Sequence, residues 1–278
     1  MAVRTLLRRE EKSKEISEVV FSASYSTRGM QSGEGIDYSV IIPAFNEEEY
    51  LPSTLKRLSA SMSELQLATG EVIVVDNDSV DQTASVAEAN GARVVHERIR
   101  GIGRARNSGA DQAKGRFLFF VDADTSIPPC ILRESFKILS HGRVGAGGAT
   151  LRFDQTHGKL FFGLLVPKFW NWISKTFRLA AGSFVFCRRE LFAKCGGFPE
   201  NLYAGEEIFF SKKVKECCKR EGREFRILGG DQVVTSSRKL LWHSNLKISL
   251  SMLLLFVFPF SVRYRKMCGF WYDRPRRK

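Results

Sequence analysis

Two carboxylates stand one residue apart in Asp122-Ala123-Asp124, directly after the apolar run Phe117-Leu118-Phe119-Phe120-Val121. Carboxylate oxygens are hard ligands, and such a pair holds Mg²⁺ or Mn²⁺ while leaving other positions to water and substrate phosphates. Acids also follow strands merely to cap the next helix, so the pair alone has two readings. Two further apolar runs end in polar side chains: Tyr38–Pro43 before Ala44-Phe45-Asn46-Glu47, and Glu71–Val75 before Asp76-Asn77-Asp78-Ser79. Gly101-Ile102-Gly103-Arg104-Ala105-Arg106-Asn107 is the basic counterpart. Glycines followed by arginine at a helix start suit phosphate oxygens, because backbone N–H groups, the helix N-terminus and guanidinium forks converge there. The stretch is neither a dinucleotide fingerprint, since Arg106 stands where a third glycine is required, nor a Walker sequence. The competing reading is a solvated basic helix face, but Arg104 and Arg106 are two apart and cannot share one stripe.

The elements that position these residues follow from apolar spacing. Strands are predicted over 38–43, 71–75, 92–96 and 117–121, because the runs are short, apolar and bounded by Gly, Pro or polar residues. Helices are predicted over 47–62, where Leu51, Leu55, Leu58 and Met62 recur at helical spacing, over 81–90 with Gly91 at its C-terminus, and after Gly101 up to Lys114. Strand–helix alternation argues for a parallel α/β sheet. Such a sheet collects ligands at the carboxyl ends of its strands, which is where the acids fall. Further on, a strand over 145–153 with a bulge at Gly147-Gly148, a strand over 181–186, a helix from Arg188-Arg189 and a helix over 206–221 are expected. The aromatic stretch 160–177, interrupted by Pro167, reads as a helix pair covering the sheet or as an acceptor wall.

These blocks together resemble the family 2 glycosyltransferases of the GT-A fold. The resemblance is carried by Val40–Glu47, by Val74-Val75-Asp76-Asn77-Asp78-Ser79-Val80-Asp81-Gln82-Thr83, by Arg106-Asn107-Ser108-Gly109 and by Asp122-Ala123-Asp124, all in the family's order. It continues through Cys195–Glu200 and Tyr203-Ala204-Gly205-Glu206-Glu207. It implies a mixed, mostly parallel central sheet flanked by helices, over residues 38–240. It also implies transfer of a sugar from a nucleotide-diphospho-sugar donor to an acceptor hydroxyl, dependent on Mg²⁺ or Mn²⁺, in single and inverting transfers. The loop Pro43, Ala44, Phe45, Asn46, Glu47 together with Asp76 would cradle base and ribose. Arg106 would line the diphosphate path, and Asp122 and Asp124 would hold the metal, Asp124 more directly. Glu206-Glu207 matches the family's Glu-Asp pair, whose second member is the base toward the acceptor, so Glu207 is the candidate and Glu206 its alternate. Asn77 stands where the family often has Asp, and the base contact could move to it. Arg238, in Thr235-Ser236-Ser237-Arg238-Lys239, would reach the diphosphate, and His243 would complete the metal shell. The Gln-x-x-Arg-Trp sequence of processive synthases is missing.

Composition narrows the alternatives. The 278 residues carry a net charge of +13, concentrated in two places. From Arg238 to Lys278 there are ten Lys/Arg and one acid, and from Arg93 to Arg116 seven against two. Residues 1–37 are balanced at six against six and read as a poorly ordered arm without an apolar signal region. Residues 241–278 form an apolar and basic tail. Its uncharged run of 15 residues, 248–262, is short of the roughly 17–25 that span a bilayer. Basic flanks and Phe270-Trp271-Tyr272 predict peripheral attachment to an anionic membrane, with a cytoplasmic enzyme at the membrane surface. The opposing view packs the tail on the domain. The six cysteines show no metal-type spacing and predict reduced thiols. The acceptor is expected to be a sugar or lipid-linked, and no nucleic-acid partner is expected. A nucleotidyltransferase of the same fold would leave Glu206 and Glu207 without a role. A non-enzymatic basic protein binding membrane or nucleic acid would leave Asp122, Asp124 and Arg106 unexplained.

Overall fold

The computed structural model describes residues 35–155 and 161–269. Within them the alternation expected at the start of the chain is present. β1 (Tyr38–Ala44), α1 (Leu51–Ser63), β2 (Gly70–Asp76), α2 (Thr83–Ala89), β3 (Arg93–His96), α3 (Ile102–Gln112) and β4 (Phe117–Val121) follow one another. β1 pairs in parallel with β2 and β4, and β2 with β3. Then come β5 (Thr125–Ser126), α4 (Pro129–Ser140), β6 (Val144–Phe153), α5 (Val166–Phe177), β7 (Phe184–Arg188), α6 (Arg189–Cys195), α7 (Glu206–Arg220) and β8 (Glu224–Thr235). The sheet order is β3-β2-β1-β4-β7-β6-β8-β5. β7 enters antiparallel to both its neighbours, β8 runs parallel to β6, and β5 pairs antiparallel with the end of β8. The sheet is therefore mixed and mostly parallel.

Side chains alternate between its two faces, as a strand's period of two requires. From β4, Phe117, Phe119 and Val121 join a core with Leu51, Leu55 and Leu58 of α1 and Ile131 and Phe136 of α4. Leu118 and Phe120 point the other way, into a core with Ala105 and Ala110 of α3, Phe192, Phe198 and Phe210. A strand buried on both faces must be apolar throughout, which is why β4 reads as an unbroken run in the sequence.

Four details differ from the expectations. The strand expected over 181–186 runs over Phe184–Arg188, after a turn in which the Phe184 N–H donates to the Ala181 carbonyl. The first helix begins at Leu51 rather than Glu47, because Glu47–Tyr50 forms a turn in which the Glu47 carbonyl accepts from the Leu51 N–H. The irregularities of β6 lie between Val144 and Ala146 and between Ala149 and Leu151, flanking Gly147-Gly148 rather than at it. The aromatic stretch forms a short π-turn (Phe161–Leu165) leading into α5, not a helix pair. α5 is docked on β6 by the Asn171 amide, which bonds the Leu151 N–H and carbonyl at 2.9 and 2.7 Å.

Beyond β8 lie α8 (Arg238–Trp242), α9 (Asn245–Val257) and 3₁₀ turns at Pro259–Arg263 and Arg265–Cys268. Among the described residues no helix is long and apolar enough to cross a membrane. The Tyr203 N–H donates to the Val262 carbonyl at 2.7 Å, and Ser261 and Cys268 are buried, so this part of the tail packs on the domain. All six cysteines are free thiols. The arm over 1–34 and the Phe270–Lys278 stretch lie outside the described residues.

Candidate active site

The carboxyl ends of β1, β2 and β4 form one edge, and three clusters meet there. The first joins the loops after β1 and β2. Asn46 takes a left-handed backbone conformation, φ 54°, as does Asp78 at 62°. The Asn46 N–H donates to the Ser79 hydroxyl, while its side-chain oxygen accepts from the Val80 N–H. The Glu47 N–H donates to the Thr83 hydroxyl at 2.7 Å. Asp76 accepts from the Ser79 N–H and pairs with His96 at 3.2 Å. Asn77 was expected as an alternative base contact. Its amide donates to the Glu97 and Ile99 carbonyls and accepts from the Gly101 N–H, each at 2.9 Å. Its side chain is thus a clamp that sets the start of α3.

The second cluster centres on Arg106, whose side chain is 1% exposed. Its guanidinium donates to Glu206 at 2.5 Å, and to Asp122 and the Gly182 carbonyl at 2.9 Å each. It lies 5.1 Å from the centre of the Phe198 ring. The two arginines of α3 divide as their spacing required: Arg104 is at the surface on Glu200, and Arg106 is inside. Burial opposes the Arg106 charge, but Asp122, Glu206 and Glu207 more than offset it, so its pKa is raised. The expected phosphate clamp is therefore a buried hub joining the carboxyl end of β4 to the first turn of α7. Gly103 likewise answers to packing: a Cβ there would lie 2.6 Å from the Pro199 carbonyl.

Glu206 and Glu207 begin α7, where the charge of Glu206 suits the helix dipole. Glu206 is committed to Arg106. Burial, reinforced by the Glu206 charge, pushes the Glu207 carboxyl up to about 8. A carboxyl held there exchanges a proton near neutral pH, as a general base requires. A Cβ added at Gly182 would lie 3.2 Å from the Arg106 Nη2 and 3.6 Å from the Glu207 Cδ, so this glycine fits against both groups.

The third cluster is set by Arg238. Pairing of Thr125 with Thr235 brings the end of β8 to Asp124. Arg238 makes two 2.7 Å bonds to the Glu47 carboxylate and lies 3.0 Å from Asp124. Its guanidinium stands 4.3 Å from the centre of the Tyr50 ring and 5.4 Å from that of Trp242. The two carboxylates of Asp122-Ala123-Asp124 are thus divided between two arginines, with the buried Ala123 held by a bond from Thr54 to its carbonyl.

By donor chemistry the pair suits Mg²⁺ or Mn²⁺: two hard carboxylates, one residue apart, leave most positions to phosphate and water. His243 is buried just after α8. Among the described residues no three of His, Cys, Asp and Glu stand together as a metal-binding group. Asp124 faces Arg238. The sequence reading missed Gly182, the Tyr50 and Trp242 rings around Arg238, and Arg100, which stacks 4.0 Å over the Phe45 ring.

A parallel half-sheet with acids at its carboxyl edge, extended by antiparallel β7, is the architecture of GT-A transferases. Solved structures agree on the fold. The mannosyltransferase PcManGT of Pyrobaculum calidifontis, in complex with GDP-Man and Mn²⁺, superposes with a TM-score of 0.60 at 21% identity, covering 87% of this chain and 70% of that one. Glucosyl-3-phosphoglycerate synthase of Mycobacterium tuberculosis, in complex with Mn²⁺ and UDP, gives 0.55 at 21%, covering 82% and 80%. The family model for glycosyl transferase family 2 matches residues 39–196, and the chain belongs to that family. Glycosyltransferase AglE of Haloferax volcanii is 27% identical over 188 residues, 64% of this chain and 61% of AglE. The dolichol-phosphate mannosyltransferase of Saccharomyces cerevisiae is 34% identical over 110 residues, 37% of this chain and 41% of that protein. The chain thus matches less than two thirds of these relatives' lengths.

Proposed function

We propose that this protein transfers a sugar from a nucleotide-diphospho-sugar donor to an acceptor hydroxyl, one sugar at a time and with inversion. The observation that carries the reading is the Arg106 hub. One buried cation binds Asp122, on the metal side, and Glu206, beside the candidate base. The loop Pro43–Glu47 and Asp76 form the cradle for base and ribose. Asp122 and Asp124 would hold Mg²⁺ or Mn²⁺, which supplies charge neutralisation for the departing nucleoside diphosphate. Arg238 adds positive charge at the same place. Glu207 takes the acceptor proton, and Arg106 keeps Glu206 fixed beside it. Names and ligands of relatives support the donor: GDP-Man with Mn²⁺ in one neighbour, UDP with Mn²⁺ in another.

A base poised near neutrality suits a hydroxyl, whose proton must be removed, better than a phosphate, which arrives as an anion. The acceptor is therefore a hydroxyl on a sugar or on a lipid-linked group, met by a cytoplasmic enzyme whose tail lies at a membrane surface. A nucleotidyltransferase would release pyrophosphate and give Glu207 nothing to do. The test is incubation with UDP- and GDP-sugars and Mn²⁺, with released products identified. Nucleoside diphosphate is expected, and it should fall about 10²–10⁴-fold in Glu207→Gln. Release of pyrophosphate, or full turnover by Glu207→Gln, would refute the proposal.

A further inference from the structure

The outer face of α5 has no part in the transfer chemistry, yet it carries large apolar side chains. Phe169, Trp172 and Phe177 are 62%, 58% and 56% exposed. Leu165, Phe169 and Trp172 recur at helical spacing, so they form one stripe. The rings support one another: Phe169 stacks on Trp172 at 5.9 Å, and Phe177 meets Trp172 edge-on at 6.4 Å. Leaving three aromatic rings together in water forgoes the stabilisation that burial gives. A contiguous patch of this kind marks a docking surface.

Charge selects the occupant. Lys168 and Lys175 lie in the same helix, and Arg178 ends it in a left-handed conformation, all exposed. Lys215 of α7 donates to the Phe177 carbonyl at 2.8 Å. Its pKa is lowered by burial and by the nearby charges of Lys212 and Arg178, which shows how closely the cations crowd. A second copy of this chain docking face to face would bring these cations against their own kind. An anionic lipid surface complements them, and aromatic residues beside Lys and Arg are suited to headgroup depth.

The start of α5 also meets α9, through Val166. Phe162, just before the helix, packs with Leu240 of α8 and Ile248 of α9 in a small core of their own. α9 exposes Leu246 and Leu250, one turn apart, at 78% and 63%. Its continuation is tied back through the Val262 carbonyl to Tyr203, in the loop leading to Glu206.

We propose that the exposed aromatic face of α5, with its basic flanks and the leucines of α9, docks the protein onto an anionic phospholipid bilayer. The docking surface is therefore built into the folded domain and does not depend on the terminal basic residues. It stands apart from the transfer reaction, since a catalytically inert protein with this face would dock equally well.

The test is co-sedimentation of the full chain with phosphatidylcholine vesicles, with and without phosphatidylglycerol, in the absence of nucleotide and metal. Binding to the phosphatidylglycerol vesicles is expected. Phe169→Ser/Trp172→Ser should weaken it by at least about tenfold. Lys168→Gln and Lys175→Gln should each cost about fivefold. Trp172→Phe keeps the apolar ring, so it should still bind while losing much of the quenching by brominated lipid, which reads the face directly if the double variant fails to fold. The proposal is overturned if wild type ignores phosphatidylglycerol vesicles, if the double variant folds and binds as well as wild type, or if brominated lipid quenches Trp172→Phe as strongly as wild type. Self-association abolished by Trp172→Ser, without vesicle binding, would assign the face to a second copy and also overturn it.

Discussion

Replacing Arg106 by Met keeps most of the side chain's volume and removes its charge, and the structure indicates what that should cost. Glu206, whose side chain is 5% exposed, loses the 2.5 Å bond that compensates its burial. Asp122, at 30%, can partly resolvate and should suffer less. Removing one partner of a buried ion pair costs about 3–5 kcal/mol, because the other charge remains. Against a domain stability of about 5–15 kcal/mol, such a loss is readily measured by urea unfolding. The pH dependence gives a second reading. Arg106 holds the Glu207 carboxyl down against its burial, so without Arg106 that pKa rises further above the unfolded value of about 4.3. A raised carboxyl costs stability progressively as pH increases toward its folded pKa. The deficit of the variant relative to wild type should therefore grow as pH rises through about 8, where the wild-type Glu207 carboxyl ionises and that of the variant stays protonated. Arg106→Met/Glu206→Gln should recover a substantial part of it, because the stranded charge is gone. A deficit under about 1 kcal/mol, the range of exposed pairs, would refute the view of Arg106 as a buried hub. So would a deficit independent of pH, or one that Glu206→Gln leaves unchanged.

Three other outcomes follow from the same contacts. Gly182→Ala should reduce kcat about tenfold with little change in unfolding midpoint, because its methyl displaces the Arg106 guanidinium, which fixes Glu206 beside Glu207, by a few tenths of an ångström; an unaltered kcat would contradict the close fit. Glu47→Gln should lose about 2 kcal/mol in urea unfolding, since one of two charge-assisted bonds to Arg238 goes; no loss would mean the pair is not a structural latch. Glu207→Gln should gain stability relative to wild type as pH rises from about 4.5 to about 8, because folding of wild type must then take up a proton on a carboxyl that burial holds up near 8. At roughly 1.4 kcal/mol per pH unit, the gain at the top of that window reaches a few kcal/mol. An advantage that stays constant across the series would deny the burial of that charge.

The sequence showed most plainly what the backbone must do and less plainly what side chains do for one another. β4 and its two acids were readable because a strand buried on both faces has to be apolar, and charge stops it abruptly. Arg106 was singled out, but its glycine-rich setting suggested a phosphate clamp. What settles its place is Glu206, a hundred positions away, together with the Gly182 carbonyl. The Glu47–Arg238 pair spans 191 positions and carries no local pattern at all. Gly182 was invisible for another reason, since its role is to add nothing between two charged groups. The aromatic stretch over 160–177 was read by hydrophobicity alone, which cannot tell a ring facing the sheet from one facing outward. Pro167 in the first turn of α5 and Asn171 on the edge of β6 decide the helix's orientation, and they leave Phe169 and Trp172 outside.

Metal and diphosphate binding at Asp122 and Asp124 is tested by calorimetric titration of UDP and GDP into the protein, with and without Mn²⁺, for wild type and Asp124→Ala. If Asp122 and Asp124 hold a metal that receives a diphosphate, at least one nucleotide should bind to wild type only with Mn²⁺ present, and Asp124→Ala should lose that dependence along with most of the affinity. Failure of either nucleotide to bind with metal, or equal binding by Asp124→Ala, would contradict it.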